Sequence, residues 1–397
     1  MRYELGDSSK APTFGCVCII RIARCRGFHG ISAKKERPRL TREQTACAGS
    51  ASLAQNRSYP QVIGVPLHVA FLEKLTGLDP YEHPKEASLQ AIEQLDLDVA
   101  GYFEVVTRPR LTGAETREVA EGRKAAFFDV GINGGEGETL WKIEAARSFD
   151  TVEDVYNFDV ETHPLCRTTD EFEAELREQF SKTEEHRAIL GKRAVTEDPV
   201  DWYNTVFMWG VTTFGWALFL ETAALDPKRY AHLLDRFTDV TRRYFVAAAR
   251  LDGPVAGQAH DDLCITRGPV FHPDWYRKYI FPLYPKVLEP VRARGLKMIY
   301  RGDGNVDEFI DDLAAAGFDG FIVRSETNLA RIAEKYGKNK VIIGNISTAI
   351  LTFGDKHEIY EDVERCAQQA GHCPGYFFHV AGEIPGNVPV ESIFYTL

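Results

Sequence analysis

The chain has 397 residues, of which 44% are hydrophobic, 11% aromatic and 26% charged. This composition is typical of a globular protein with a large core, and no uninterrupted apolar run approaches the roughly 18 residues that cross a bilayer. The formal net charge of −11 at pH 7 argues against a nucleic-acid-binding protein, because phosphates require a basic surface. We therefore expect neither a nucleic-acid nor a membrane partner.

Residues 1–50 differ from the rest of the chain. They carry ten Lys and Arg against four Asp and Glu, a net charge of +6, which leaves −17 for the other 347 residues. They also hold four of the eight cysteines, in an order that fits no zinc-finger or disulfide pattern. We interpret residues 1–59 as an N-terminal extension outside the core and residues 60–397 as one barrel domain; a targeting segment is the alternative. The remaining cysteines are scattered, as in proteins of the reducing cytoplasm, where we expect this protein.

The pattern becomes regular from residue 60. The segment "VPLHVAFLEKLTGLDPYEHPKEASLQAIEQLDLD" predicts two helices separated by Gly77, Pro80 and Pro84. A strand is predicted in "AGYFEVVTR" and a charged helix near residues 168–190. The segment "DPKRYAHLLDRFTDVTRRYFVAAARL" predicts a long helix with one apolar face. That face comprises Tyr230, Leu233, Leu234, Phe237, Val240 and Tyr244.

Five strand segments then follow in the second half, each leading into a helix. They are "PVAGQAHDD", "LKMIY", "FDGFIV", "KVIIG" and "GYFFHVAG". Such alternation implies parallel strands joined by right-handed crossovers. No G-x-G-x-x-G follows a strand, which weakens the case for an open dinucleotide-binding sheet. We expect an α/β fold, the (β/α)8 TIM barrel, with additional N-terminal helices.

One helix carries clear boundary signals. In "NVDEFIDDLAAAG", Asn305 could cap the helix, Glu308 lies three residues later as in a capping box, and Gly317 could end it.

Strand after strand in this half ends in polar residues. In a barrel the carboxyl ends of the strands surround one mouth, so these residues are candidates for a site. The catalytic candidates are the carboxylates Asp262, Asp303 and Glu326, which could bind a metal through oxygen or supply an acid. The substrate-binding candidates are His260, Arg301, Arg324, Asn345 and His379.

Structural roles remain open for several of these candidates. Asp262 could be a helix cap, Arg301 could pair with Asp303, and His379 could pack in the core. Asp261 should point to the other side of its strand from Asp262, because side chains alternate along a strand.

The segment "DDLCITRGPVFHPDWYRKYIFPLYPKVLEPVRARGLKMIYRGDGNVDEFIDDLAAAGFDGFIVRSE" resembles the uroporphyrinogen decarboxylase superfamily. The shared pattern is a strand ending in Asp-Asp, a Pro before a Tyr-rich helix, a second Pro, and a strand ending near "DGN". The segments "SFDTVEDVYNFD", "GNISTAIL" and "GYFFHVAGEIPGNVPVES" are also similar to that family. The resemblance covers roughly residues 60–397 and implies an (α/β)8 barrel. It implies one of two activities, tetrapyrrole decarboxylation or methyl transfer that involves corrinoid proteins and coenzyme M.

The chain departs from both branches of this superfamily. Tetrapyrrole decarboxylases have an Arg-Gln-Ala-Gly-Arg-Tyr-like N-terminal segment and a Gly-His near the last strand. The corresponding places here read "TREQTACAGSASLAQNR" and Ala381-Gly382. Zinc methyltransferases of the superfamily use His-x-Cys, and the matching place reads Arg301-Gly302-Asp303. A zinc site is therefore doubtful, and we expect no tightly bound cofactor.

The resemblance leads us to expect a demethylase. It would transfer a methyl group from a small molecule of the methyl ether or methylamine type to a corrinoid supplied by a partner protein. One alternative is decarboxylation of a tetrapyrrole or another carboxylated substrate, with Arg301 and Arg324 holding carboxylates and Asp262 stabilising a cationic intermediate. A second alternative is a barrel that binds a tetrapyrrole or corrinoid without turnover. A homodimer is left open.

Overall fold

The structure is a computed structural model that describes most of the chain from residue 68 onward. The described residues are 68–95, 97, 99–100, 149–191, 195–196, 199–380, 384 and 388–396. The expected extension over residues 1–59, most of the strand expected in "AGYFEVVTR", and Ala381-Gly382 lie outside them. Within the described residues, no helix is both long enough and apolar enough to span a membrane.

The core of the fold is a parallel sheet. Its strands lie in the order β3-β4-β7-β8-β9-β10, and all of these pairings are parallel. A second parallel pair joins β1 to β2, and β5 and β6 form a short antiparallel hairpin. The strands are β1 (Val99–Ala100), β2 (Val195–Thr196), β3 (Asp201–Trp202), β4 (Ala256–His260), β5 (Cys264–Ile265), β6 (Gly268–Pro269), β7 (Lys297–Arg301), β8 (Gly320–Ile322), β9 (Val341–Ile343) and β10 (Tyr376–Phe377).

Helices follow the strands and cover the sheet. They are α1 (Val69–Thr76), α2 (Pro84–Leu95), α3 (Val152–Tyr156), α4 (Thr169–Leu190), α5 (Met208–Phe214), α6 (Trp216–Leu225), α7 (Pro227–Ala249), α8 (Pro273–Tyr279), α9 (Tyr284–Ala293), α10 (Ile310–Ala316), α11 (Leu329–Tyr336), α12 (Thr348–Phe353), α13 (Lys356–Ala370) and α14 (Val390–Tyr395). The five strands predicted in the second half are thus adjacent and parallel, and the α/β fold of the TIM-barrel type is confirmed.

The helix predictions from apolar periodicity are also confirmed. Helices α1 and α2 are separated at Gly77, whose left-handed φ of 74° ends α1. Every residue of the apolar face predicted for α7 is buried. Because that face packs inward, α7 is held against the barrel along its length.

The predicted start of α10 is wrong. The helix begins at Ile310, and no side chain caps it. Asn305 instead accepts the N–H of the residue two positions later, at 3.0 Å, in an Asx turn. Glu308 binds Arg277 at 2.8 Å and does not close a capping box. The predicted end is confirmed, because Gly317 has a left-handed φ of 105°.

Candidate functional site

The strand register brings the predicted candidates into rows at the carboxyl end of the sheet. His260 on β4 pairs with Arg301 on β7, and Arg301 pairs with Ile322 on β8. The row continues through β9 and β10. Two positions further along the chain, just past the end of each strand, lie five polar residues. They form what we call the rim row: Asp262, Asp303, Arg324, Asn345 and His379.

Asp262 is the most completely coordinated carboxylate of the rim row. It accepts hydrogen bonds from the backbone N–H of Asp303 at 2.7 Å and the hydroxyl of Tyr203 at 3.2 Å. Its other contact is with Nε2 of His260, at 3.2 Å. Burial opposes ionisation, but His260, the Asp303 N–H and Arg301 outweigh it and lower the pKa of Asp262 to about 2. The side chain keeps 18% of its surface exposed, so an anionic carboxylate faces the site.

Tyr203 is a site residue that the sequence did not reveal. It follows the two-residue strand β3, which is too short to show a periodic pattern. Its ring meets the imidazole of His260 edge-on, with centroids 4.4 Å apart. Burial and the charge of Asp262 raise the pKa of its hydroxyl. Tyr203 therefore stays a neutral phenol that donates to Asp262.

Asp303 and Arg324 form a bidentate ion pair. Nε and Nη2 of Arg324 lie 2.6 and 2.8 Å from the two carboxylate oxygens, with 30% of the Arg324 side chain and 50% of the Asp303 side chain exposed. The sequence left open a pairing of Asp303 with Arg301, but the guanidinium that binds it comes from the next strand. The pair joins the loop after β7 to the loop after β8.

The glycines on either side of Asp303 are required by close packing. A Cβ on Gly302 would lie 2.7 Å from the carbonyl oxygen of Asp261, and one on Gly304 would lie 2.5 Å from that of Cys264. Gly304 also has a positive φ of 76°, which disfavours other residues. These glycines let the loop after β7 pack against the backbone that follows β4, and this brings the Asp303 N–H to Asp262.

His379 lies at the β10 end of the rim row. Its side chain is fully buried, at 0% exposure, and neither ring nitrogen has a hydrogen-bond partner among the described residues. Burial and the positive charges of Arg301 and Arg324 lower its pKa to about 3. His379 is therefore a buried, neutral imidazole near the positive charges of Arg301 and Arg324.

Asp261 points away from Asp262, as the alternation of strand side chains predicts. Its carboxylate accepts the backbone N–H groups of residues 206–208 at 2.7–2.9 Å and the hydroxyl of Tyr284 at 2.7 Å. Burial raises its pKa to about 6 despite these bonds. Asp261 thus joins the end of β4 to the start of α5 and fixes the position from which Asp262 projects.

Residues 202–396 match the family model described as uroporphyrinogen decarboxylase (URO-D). This match assigns residues 202–396 to the uroporphyrinogen decarboxylase superfamily. The predicted family is therefore confirmed.

Curated uroporphyrinogen decarboxylases are distant relatives of this superfamily member. The one from Geobacter sulfurreducens is 26% identical over 179 residues, which are 45% of this chain and 50% of the relative. The one from Syntrophotalea carbinolica is 28% identical over 168 residues, 42% of this chain and 46% of the relative. The chain therefore matches only about half the length of these relatives.

A solved methyltransferase from Methanosarcina mazei shares the fold of this superfamily member. The two superpose with a TM-score of 0.52, covering 90% of this chain and 96% of the methyltransferase, at 15% sequence identity. At this identity the likeness concerns the fold alone.

Two predicted site residues differ from the other candidates in their surroundings. Asn345 is buried; its amide donates to the carbonyls of Arg324 and Thr327 at 3.1 and 2.9 Å and accepts from Arg365 at 3.0 Å. It therefore stabilises the loop after β8. Glu326 is exposed, and no hydrogen bond or ion pair joins it to the other candidates in the described part of the chain.

The donor set does not fit a zinc ion. Among the described residues, no three His, Cys, Asp or Glu side chains are grouped to hold a metal. His260 and Asp262 are two neighbouring donors, but Asp303 is engaged by Arg324.

Proposed function

We propose that this superfamily member transfers a methyl group from a methylated ammonium compound to a corrinoid protein. The observation that supports this proposal is the environment of the Asp262 carboxylate. Three neighbours, Tyr203, His260 and the backbone of Asp303, surround its carboxylate, and part of it stays exposed to the site. An anion beside an aromatic side chain suits a quaternary ammonium group.

The protonation states favour an ammonium over an ether. As a methyl group leaves an ether, the oxygen gains negative charge and needs a proton or a Lewis acid. Asp262, with a pKa of about 2, and His379, with a pKa of about 3, carry no proton to give at neutral pH. A quaternary ammonium needs none, because the electron pair of the broken C–N bond stays on nitrogen and the leaving amine is neutral. The reduced cobalt of the corrinoid protein supplies the electron pair of the new bond.

Asp262 would act mainly by binding and orienting the substrate. The positive charge on nitrogen disappears as the methyl group departs, so an anion beside it stabilises the substrate at least as much as the transition state. Such an interaction lowers KM and does not raise kcat. We therefore expect Asp262→Asn to raise KM more than it lowers kcat.

The experiment is methylation of a reduced corrinoid protein, followed by its absorbance, with tetramethylammonium and methoxybenzene as methyl donors. The wild type should use the ammonium and not the ether, and Asp262→Asn should show the rise in KM. Asp239→Asn is a matched control, because Asp239 lies exposed on α7. Turnover of the ether without turnover of the ammonium would contradict the proposal.

Decarboxylation is a second candidate, favoured by the two guanidinium groups near His379. Arg301 and Arg324 could hold substrate carboxylates while Asp262 stabilises a cationic intermediate. This route requires protonation of a substrate carbon, and Asp262 and His379 are both deprotonated at neutral pH. If the wild type releases CO2 from uroporphyrinogen faster than the Asp262→Asn variant does, decarboxylation is favoured over methyl transfer.

A further inference from the structure

His379 is an anomaly in the described part of the chain. Buried polar groups in native proteins are nearly always hydrogen-bonded, and an unpaired one is destabilising. The fully buried imidazole of His379 nevertheless has no hydrogen-bond partner on either ring nitrogen among the described residues. The backbone at His379 is paired with the neighbouring segment of the sheet, because its carbonyl accepts the N–H of Ile346 at 3.1 Å. A rigid, buried donor is thus held in place without an acceptor.

The surroundings of His379 favour an anion as the missing acceptor. It belongs to the rim row, as Asp262 and Asp303 do. The positive charges of Arg301 and Arg324 both lower the pKa of His379. Arg324 is held in place by its two hydrogen bonds to Asp303. A neutral imidazole donates one N–H, and guanidinium groups bind planar anions well. A carboxylate has two oxygens and could accept from both kinds of donor.

We infer that His379, with Arg301 and Arg324, forms a carboxylate subsite, and that the substrate is a zwitterion with its methylated ammonium at Asp262. This inference rests on the proposed function, because it names the class of compound that donates the methyl group. The subsite comprises residues at or after the ends of β7, β8 and β10, whereas the ammonium lies at Asp262, after β4. A compound with both charged groups would therefore be fixed at its two ends. The carboxylate is unchanged by methyl transfer, in which the electron pair of the broken C–N bond stays on nitrogen.

The test is equilibrium binding by calorimetry at neutral pH, without a corrinoid protein. The probes are trimethylammonium carboxylic acids with one to four methylene groups between the charges, each paired with its methyl ester. For wild-type protein at least one acid should bind about 10- to 100-fold more tightly than its ester, the factor expected for a hydrogen bond to a charged group. If every acid binds no more tightly than its ester, the inference is overturned.

Variants of His379 separate the subsite from folding. His379→Phe keeps a ring of similar size but has no donor, so it should bind the acid about as weakly as the ester while its affinity for the ester stays unchanged. His379→Gln restores an N–H donor and should recover part of the preference for the acid. His232→Phe, a change of an exposed histidine on α7, should leave the preference intact. An undiminished preference in His379→Phe would overturn the assignment of the subsite to this residue.

The failure of this inference can be distinguished from failure of the proposed function. Methylation of a corrinoid protein by tetramethylammonium, which has no carboxylate, tests the function alone. If that reaction proceeds and acids bind like esters, the carboxylate subsite is refuted and methyl transfer stands. If acids bind more tightly than esters but no ammonium compound is demethylated, the proposed function is refuted and the anion subsite stands.

Discussion

The adjacent carboxylates Asp261 and Asp262 should respond very differently to removal of their side chains. Asp261→Ala deletes the acceptor of four buried donors, the N–H groups of residues 206–208 and the hydroxyl of Tyr284. A methyl group cannot replace any of these bonds. Asp262→Ala deletes an acceptor whose surroundings are partly open to the site, so water can reach the groups left behind.

The expected loss in the free energy of unfolding follows from these contacts. An unsatisfied buried donor costs about 1–3 kcal/mol, so four of them should lower the free energy of unfolding by at least about 4 kcal/mol. The raised pKa of Asp261 shows that its charge is itself unfavourable there, and removing it offsets part of the loss. We expect a net loss of about 3–5 kcal/mol for Asp261→Ala and about 1–2 kcal/mol for Asp262→Ala.

Urea unfolding followed by circular dichroism gives both free energies directly. Asp261→Asn, which keeps one acceptor oxygen, should lie between Asp261→Ala and the wild type. In the methyl-transfer assay, Asp262→Ala should lose more activity than Asp261→Ala, because only Asp262 faces the site. If Asp261→Ala unfolds within about 1 kcal/mol of the wild type, or if Asp262→Ala loses as much stability, our assignment of the two roles is refuted.

Three further predictions concern the same region. Gly304→Ala should destabilise by about 2 kcal/mol or more because of its positive φ and the backbone beside it, whereas Gly295→Ala, with φ 83° and open space, should lose only about 1 kcal/mol in the same urea titration. Burial raises the pKa of Asp261 to about 6 from 3.8, so the native state holds its proton more tightly. The wild type should therefore lose about 3 kcal/mol relative to Asp261→Asn as the pH rises from about 4 to 6; a constant difference would contradict this. Asp303→Asn should lower the melting temperature slightly by weakening the pair with Arg324, and about 1 M salt should reduce the effect; an equal or higher melting temperature would show that the pair does not stabilise the fold.

The sequence predicted most of the fold because the spacing of apolar residues depends directly on which face of a helix or strand is buried. The alternation of buried strands and amphipathic helices predicted the parallel sheet, and the polar ends of the strands predicted the rim row. The opposite directions of Asp261 and Asp262 followed from strand parity alone. These features depend on local geometry, which neighbouring residues determine.

The failures occurred where the chain leaves regular structure. Glu326 was a candidate because it follows a predicted strand, but β8 ends at Ile322, four residues earlier, and Glu326 is exposed. The spacing of Asn305 and Glu308 matched a capping box, yet Arg277 on another helix binds Glu308. Tyr203 was missed because β3 is only two residues long. For Glu308 and Tyr203, a contact with a distant part of the chain decided the outcome, and the local sequence does not reveal such a contact.

The packing of Gly304 against the hairpin β5–β6 has a consequence for the motions of the barrel mouth. The N–H of Asn305 donates to the carbonyl of Ile265 at 3.1 Å, and Gly304 lies against the backbone of Cys264. One loop cannot swing outward without breaking its bond to the other, so the two should open together as one cooperative unit. Their amide protons should then exchange with solvent at a common rate, and the passage of ligands should depend on loops elsewhere around the rim.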